Sequence, residues 1–192
     1  MRFIRTLFAA LILSASALAP MAAMAGAVRA DVTARVSGQY TSTSGLGSAT
    51  FGMEQAAIAS FAPGTGAGKA DVLFADRRTL AASATENLDL AGALTDPLGA
   101  AATFGHVKAI YVKAALTNTN NVVFGGAASN AFVGPLGGTT PTVTIPPGGF
   151  QLFVHPGVGW TVTPATGDLL KLANSGGTTG VQYDVMIIGT SN

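Results

Sequence analysis

His106 and His155 are the side chains of this sequence best suited to bind a metal ion, and a carboxylate such as Asp168 could complete a three-ligand site. No H-x-H or H-x-x-x-H pair brings two histidines together, and the sequence contains no cysteine. Asp96, Asp168 and loop carbonyls could bind calcium, but a calcium loop of the form D-x-D-x-D-G is lacking. We therefore expect isolated histidines at the ends of strands and no metal site, so alanine at Asp168 or His155 should leave function unaffected.

The segment Pro63–Lys69 (PGTGAGK) invites comparison with the phosphate-binding loop G-x-x-x-x-G-K-[ST], which joins a strand to a helix. Pro63 occupies the place of the first glycine, and Ala70 has no hydroxyl for a magnesium ion. The residues that follow, ADVLFADRRTLA, are typical of a strand. We therefore predict a flexible hairpin tip and neither nucleotide nor any other cofactor.

The remaining polar residues indicate no catalytic machinery. No G-x-S-x-G elbow is present for a nucleophilic serine, and the nine acidic residues are scattered near turns. Asp76, Arg77 and Arg78 form a compact charged cluster that could clamp a carboxylate or a phosphate. We favour a local ion pair on a rim or subunit seam. We expect no catalytic residue and no enzyme.

Aromatic side chains could bind carbohydrate by stacking on sugar rings. Trp160 and Tyr183 alternate with apolar neighbours, which predicts that both point inward. Tyr40 and Phe150 are the exposed candidates, although aromatic residues are mostly buried. Carbohydrate is therefore an open but unsupported ligand.

Charge is scarce in this chain of 192 residues: charged residues make up 10% and hydrophobic residues 48%. This composition excludes a disordered chain. Ten Lys and Arg balance nine acids, so no basic stripe is available for nucleic acid. A surface so poor in charge favours burial against copies of the same chain or within a larger assembly.

Residues 1–25 have the pattern of a secretory signal peptide. A positively charged start precedes the apolar run Leu7–Ala19, and Ala23-Met24-Ala25 matches the A-x-A cleavage pattern, with Ala25-Gly26-Ala27 as an alternative site. The other interpretations are an uncleaved apolar arm or anchor and an upstream start codon, and the run is short for a membrane span of about 20 residues. Cleavage near Ala25 would give a secreted or periplasmic chain with no stable membrane span.

The positions considered so far need a scaffold, and residues 26–103 are expected to supply its N-terminal strands and connecting loops. Asp31–Tyr40 alternates between apolar and polar residues, which predicts a half-buried strand, and Thr41–Ser48 is expected to be a loop. Phe51–Phe61 could be one or two helical turns, but the following Ala62-Pro63-Gly64 favours a strand that enters a turn. Two further strands are predicted at Asp71–Ala81 and Thr85–Leu90.

Residues 104–192 are expected to form the main module, in which Gly, Pro and Asn separate short apolar runs. Val107–Ala115 carries apolar residues on both sides, which predicts burial on both faces, and Phe132 is expected to plug the core. Further strands are predicted at Val122–Phe124, Thr142–Ile145, Phe150–Val154, Trp160–Val162, Asp168–Ala173 and Val181–Ile188. We therefore predict an all-β fold, an antiparallel β-sandwich of jelly-roll type with about ten short strands.

Five phrases of the sequence resemble a β-sandwich module of structural proteins of tailed bacteriophages: VKAIYVKAA, NNVVFGGAASNAFVGPLGG, PPGGFQLFVHP, GWTVTPATGDLLKLANSG and YDVMIIGT. That group includes head-decoration, spike, minor capsid and fibre-type proteins. The resemblance spans about residues 31–190 and is best from Val107 onward. It contains no catalytic motif and implies only structural positions: Gly125, Gly126, Asn130, Phe132 and Gly149. The signal-like start departs from it, because virion proteins assembled in the cytoplasm do not normally need export.

Two functions follow as expectations. The resemblance implies a non-enzymatic virion structural protein, such as a capsid decoration, a spike or a minor head or tail component. It would pack with copies of itself and with other virion proteins. The signal-like segment instead favours an exported bacterial β-sandwich binding module at the cell surface or in the periplasm, with carbohydrate as a candidate ligand. A hydrolase on a sandwich scaffold is a distant third.

Overall fold

A computed structural model describes residues 27–92 and 94–192. The predicted signal peptide at residues 1–25, with its cleavage pattern at Ala23-Met24-Ala25, lies outside these residues. All regular elements of the described part are strands. Accordingly, the described residues include no helix long and apolar enough to cross a membrane.

Residues 27–92 and 94–192 form twelve strands, which confirms the all-β class and the mostly antiparallel pairing. The two-residue strand β3 is the element that the sequence patterns did not predict. The strands are β1 (Ala30–Ser44), β2 (Gly47–Pro63), β3 (Lys69–Ala70), β4 (Val72–Leu80), β5 (Thr85–Asp89), β6 (His106–Ala114), β7 (Val122–Gly125), β8 (Thr142–Ile145), β9 (Phe150–Val154), β10 (Trp160–Thr161), β11 (Leu169–Asn174) and β12 (Val181–Thr190).

Two sheets form a sandwich around the main core. Sheet I has the strand order β10-β6-β12-β4, and β9 also pairs with β6. Sheet II has the order β5-β11-β7-β8. Alternate side chains of each sheet point towards the other sheet and interdigitate. The largest of these buried side chains are Phe74, Ile110, Tyr183 and Ile187 from sheet I, and Leu88, Phe124, Ile145, Leu170 and Leu172 from sheet II.

Strand β12 lies in the middle of sheet I, between β6 and β4. Its predicted inward face is confirmed: Val181, Tyr183, Val185 and Ile187 are buried. Its pairing with β6 shifts register between Ile188 and Gly189, which leaves Lys108 of β6 without a partner residue on β12. A Cβ atom at Gly189 would lie 2.1 Å from the carbonyl oxygen of His106, so the irregularity requires glycine there.

Several predictions for individual residues of the sandwich can be checked directly. Phe132 is buried against the core, as predicted, although it lies in a loop. Strand β6 is buried on both faces from Val107 to Ile110, whereas Lys113 near its end is exposed. Trp160 is only partly buried at the edge of the core, so its inward prediction is correct only in part.

Strands β1 and β2 form a long hairpin that departs from the predictions. The strands pair without interruption from Ala30 and Phe61 to Ser44 and Gly47, so the loop predicted at Thr41–Ser48 is wrong. The strand predicted at Asp31–Tyr40 is confirmed as part of β1, but its predicted half-burial is wrong, because every residue from Thr33 to Ile58 is exposed. Alternation buries one face only where a second layer covers it, and within the described residues no layer covers this hairpin.

Candidate functional site: an exposed β-hairpin arm

The exposed part of the hairpin, residues 33–58, is called the arm below. Residues that pair directly across an antiparallel hairpin project from the same face. The register pairs Tyr40 with Phe51 and Ala34 with Ala57, and Val36 and Met53 lie on this same face. The sequence therefore folds into an amphipathic ribbon with an apolar face and a polar face.

The apolar face carries large side chains in contact with solvent. Val36 is 75% exposed, Tyr40 69%, Phe51 64% and Met53 60%. Single exposed apolar residues are common on proteins, but a contiguous group of this kind marks an interaction surface. Tyr40 is exposed, against the burial that is usual for aromatic residues, and it lies in this group rather than at an isolated position.

The polar face is rich in Ser and Thr and nearly free of charge. Arg35 and Glu54 form an ion pair with an N–O distance of 2.5 Å, and they are the only charged residues of the arm. Their side chains are more than half exposed, so solvent screens the attraction and the pair contributes little stability. Ile58, 70% exposed, is the one large apolar residue on this face. The arm as a whole is electrically neutral.

Both edges of the arm are free, because β1 and β2 pair only with each other over these residues. Proteins usually protect such edges with Lys or Pro, and the arm contains neither. An isolated two-stranded hairpin is marginally stable in water at best. The arm therefore has the properties of a surface that becomes stable on contact with a partner.

The base of the arm packs on the outer face of sheet I and forms a second, smaller core. Phe61, only 1% exposed, lies there with Ala109 and Ile188. Ala59 and Val32 are partly buried against the same group. Since Phe61 and Ala59 share a face with Val36 and Met53, the apolar face of the arm continues directly into this buried contact.

Beyond the base, the same outer face of sheet I remains open to solvent. Met186 of β12 pairs with Ala75 of β4 and with Tyr111 of β6, and Tyr111 pairs in turn with Leu152 of β9. The ring of Phe150 lies 6.0 Å from that of Tyr111. These five residues are called the outer patch. Met186 is 41% exposed, and Phe150, a candidate for which burial was favoured, is 65% exposed.

The loop between β2 and β3, residues 64–68, is held against sheet I at the base of the arm. The Nζ atom of Lys108 donates to the carbonyl oxygen of Gly66, and the Gly68 N–H donates to that of Pro156 at 3.2 Å. Lys108 is fully buried, and its burial lowers the pKa of the ammonium group. The hairpin tip predicted at Pro63–Lys69 is corrected, because β3 runs parallel to β2.

The two histidines and Asp168 occupy separate structural positions. His106 starts β6, and its buried Nδ1 has no hydrogen-bond partner among the described residues. The Nδ1 atom of His155 accepts from the Gly159 N–H at 3.3 Å, and the ring packs edge-on against Trp160. Asp168 is buried, and its Oδ2 accepts from the Ala165 N–H at 2.6 Å. Across residues 27–92 and 94–192, no group of three or more His, Asp or Glu side chains could hold a metal ion.

The charged cluster near Arg77 consists of ion pairs, in line with the interpretation we favoured. The Nε atom of Arg77 donates to Asp184 at 2.6 Å, and this hydrogen bond lowers the pKa of Asp184. Arg78 donates to Glu86 at 3.0 Å. Its Nε lies 3.3 Å from Asp76 but outside hydrogen-bond geometry, so we regard that contact as electrostatic only. Both arginines are thus engaged by carboxylates of the same chain.

The cavities in the described structure are shallow. One, of about 560 Å³, lies on the arm around Gly38, Met53 and Gly52. Another, of about 470 Å³, is lined by the loops 126–131 and 139–142 with Gly, Ala, Ser, Thr and Asn side chains and no aromatic ring. Neither has the enclosed, mostly apolar shape typical of a small-molecule site.

The sequence patterns do not predict that the arm and the outer patch are candidate interaction surfaces. Alternation from Val32 to Tyr40 was recognised, but it could not distinguish a covered face from an open one. One feature of the sequence does indicate the arm. The residues on both sides of Gly45-Leu46, which pair in the hairpin, include one opposite-charge pair and no proline.

No family model, no curated protein and no solved structure matches this chain. The structure itself shows an all-β protein with several antiparallel sheets.

Proposed function

We propose that this chain is a non-enzymatic structural protein of a virion or virion-like particle, and that it acts by packing against copies of itself. The observation that carries the proposal is the arm, a neutral amphipathic ribbon that the folded chain leaves exposed on both faces. Burial of apolar surface stabilises an association by about 25 cal/mol per Å². A partner surface would provide the layer that the arm lacks.

The composition supports the same proposal. Free monomeric proteins are kept soluble by surface charge, whereas only 10% of these residues are charged. Four of the few charges, on Arg35, Glu54, Arg77 and Asp184, are used in ion pairs within the chain. Such a surface suits a subunit whose outside is largely covered by neighbours.

The virion part of the proposal rests on the resemblance to tailed-phage structural modules. The resembling phrases map onto β6, β7, β9, β10, β11 and β12, which build the sandwich and not the arm. The test is mass spectrometry of purified virus particles and of periplasmic, secreted and cytoplasmic fractions from cells that produce the protein. We expect the chain in particles. Recovery only as a free protein in the periplasm or medium would contradict the virion assignment.

Self-association is tested by sedimentation of the purified protein and of the double variant Tyr40→Ser/Met53→Ser. Fully burying a large apolar side chain contributes about 1.5–3 kcal/mol, so losing two should weaken association at least about 100-fold. The matched control is Thr41→Ser/Thr50→Ser, on the opposite face of the same arm. A wild-type protein that remains a monomer at high concentration would contradict the proposal.

An exported carbohydrate-binding module is the second candidate, because the structure exposes Phe150 beside Tyr111 on a sheet face. The two rings are tilted by 36° and could stack on successive sugar units. Oligosaccharide binding that is lost in Phe150→Ala and unchanged in Tyr40→Ser/Met53→Ser would favour this module over the assembly subunit.

A further inference from the structure

We infer that the apolar face of the arm docks on the outer patch of a second copy of this chain, so that each copy gives one arm and receives another. This inference rests on the proposed self-association and specifies its contact. The apolar face of the arm is formed by Ala34, Val36, Tyr40, Phe51, Met53 and Ala57, and the outer patch is the group Ala75, Tyr111, Phe150, Leu152 and Met186.

The base of the arm already makes this type of contact within one chain. Phe61 and Ala59 lie with Ala109, Ile188, Leu73 and Val154 in one cluster on the outer face of sheet I. Each residue of the row Ala75, Met186, Tyr111 and Leu152 lies two positions further along the same strands. Side chains two apart in a strand share a face. The outer patch is therefore the uncovered continuation of a surface that this ribbon is shaped to cover.

The arm of the same molecule does not provide that cover. Residues 33–58 are exposed in the folded chain, and Met186 and Phe150 are exposed as well. The molecule therefore has two exposed apolar surfaces that do not cover each other. Both surfaces become buried when neighbouring copies exchange arms. Such exchange also provides the edges of β1 and β2 with a neighbouring surface.

Charge favours a second copy over a differently charged partner. The only charges of the arm, Arg35 and Glu54, pair with each other, so the arm offers no net charge to nucleic acid or to an anionic membrane. The charges bordering the outer patch are Arg77 and Asp184, which pair with each other, and the exposed Lys113, which lies beside Asp184 and Phe150. The apolar residues of the arm and of the outer patch carry no charge themselves, so they can meet without burying an unpaired charge while the Lys113 ammonium stays in solvent at the rim.

The extent of the two surfaces suits a contact between two copies. The apolar stretch from Ala34 to Tyr40 spans about 20 Å, and the row Ala75, Met186, Tyr111 and Leu152 crosses four strands of sheet I, about 14 Å. Val36, Tyr40, Phe51 and Met53 together present about 500 Å², and Met186 and Phe150 of the outer patch present about 200 Å², given about 200 Å² per large side chain and the exposures above. When each copy gives one arm and receives another, the total of about 700 Å² per copy is close to one partner's share of a standard protein interface, about 800 Å².

The absence of cysteine from the chain makes cross-linking a direct test. Met53→Cys protein (arm), labelled with heavy isotopes, is mixed with unlabelled Met186→Cys protein (outer patch) and treated with a short bismaleimide. We expect cross-linked peptides joining positions 53 and 186 from different copies. The matched control replaces Met53→Cys with Thr41→Cys, on the polar face of the same arm, and should reduce the yield at least several-fold.

The outcomes separate this inference from the proposed function. Links between two copies of position 53, without links to position 186, would overturn docking on the outer patch but retain self-association. Equal yields from positions 41 and 53 would overturn the role of the apolar face. Absence of links together with a monomeric mass would overturn both proposals. Met186→Asp provides an independent check, since it should weaken association at least about tenfold while leaving the unfolding transition cooperative.

Discussion

At the scale of single residues, the group formed by Tyr183, Glu86 and Arg78 connects the two sheets of the sandwich. The Tyr183 hydroxyl donates to Glu86 of β5, and Arg78 donates to the same carboxylate. The alternation of β12 predicts that Tyr183 points inward, but it cannot identify Glu86 as the partner. That carboxylate comes from the other sheet, 97 positions away in sequence.

The Tyr183–Glu86 pair predicts a pH dependence of stability. Burial and the hydrogen bond to Glu86 raise the pKa of Tyr183 above its ordinary value of about 10. Above about pH 10 the unfolded chain loses this proton while the folded chain keeps it, so stability falls with rising pH by up to about 1.4 kcal/mol per pH unit. Below about pH 10 the full contribution is present.

We expect Tyr183→Phe to lose this part of the pH dependence. At pH 7 the variant should be less stable by about 1–3 kcal/mol, because Glu86 loses a buried partner. Above about pH 10 the two unfolding free energies should converge. Urea unfolding of both proteins between pH 7 and pH 11 measures the difference, and a difference that does not change with pH would contradict the prediction.

At the scale of elements, local sequence patterns predict the positions of the strands well, but they predict the length and the burial of the strands poorly. Strands β8 and β9 lie at the predicted residues, because short apolar runs end at Gly and Pro turns. The chain around Thr41–Ser48 was predicted as a loop for its Ser, Thr and Gly content, yet cross-strand pairing extends both strands through it. Strand pairing, and the layer that covers the face of a strand, depend on segments that are distant in sequence. A local sequence pattern therefore cannot predict either of them.

The buried lysine at the base of the arm leads to a prediction about one loop. Lys108→Met keeps the aliphatic stem but removes the hydrogen bond to Gly66, which is worth about 0.5–1.5 kcal/mol. We expect amide exchange in residues 64–68 to become up to about tenfold faster, measured by mass spectrometry. Lys171→Met is the matched control, because the Nζ atom of Lys171 donates to the carbonyl oxygen of Gly126, just after β7 of sheet II, at 3.1 Å, and its loss should leave residues 64–68 unchanged. Unchanged exchange in Lys108→Met would show that the lysine does not hold the loop.

At the scale of the whole molecule, a closed sandwich is combined with an open ribbon. The main core unites side chains of both sheets, whereas the arm adds no residue of its own to either core cluster. The sandwich could be predicted because strands with one apolar side imply a second layer. The arm could not, since its sequence has the same alternation as a strand within the sandwich.

Association through such a ribbon should respond to salt in a characteristic way. Raising NaCl from 0.05 to 1 M shortens the screening length to about 3 Å and weakens exposed ion pairs, whereas contacts between apolar surfaces persist and are strengthened by sulfate. We expect the sedimenting mass to be unchanged in NaCl and to increase or remain constant in ammonium sulfate. Arg35→Gln/Glu54→Gln, which keeps the arm neutral, should behave like the wild type. Dissociation at high NaCl would indicate that ion pairs hold the subunits together.

The central place of β12 in sheet I also sets an order of events during synthesis. Its neighbour β4 ends at Leu80, whereas β12 begins at Val181, roughly 100 residues later. At about 5–20 residues per second, a ribosome needs roughly 5–20 s to make that stretch. The two strands of the arm are joined by Gly45-Leu46 and can pair as soon as they leave the exit tunnel. In a nascent chain the arm therefore forms before sheet I, which would receive a neighbour's arm. We expect premature association of chains to occur on polysomes.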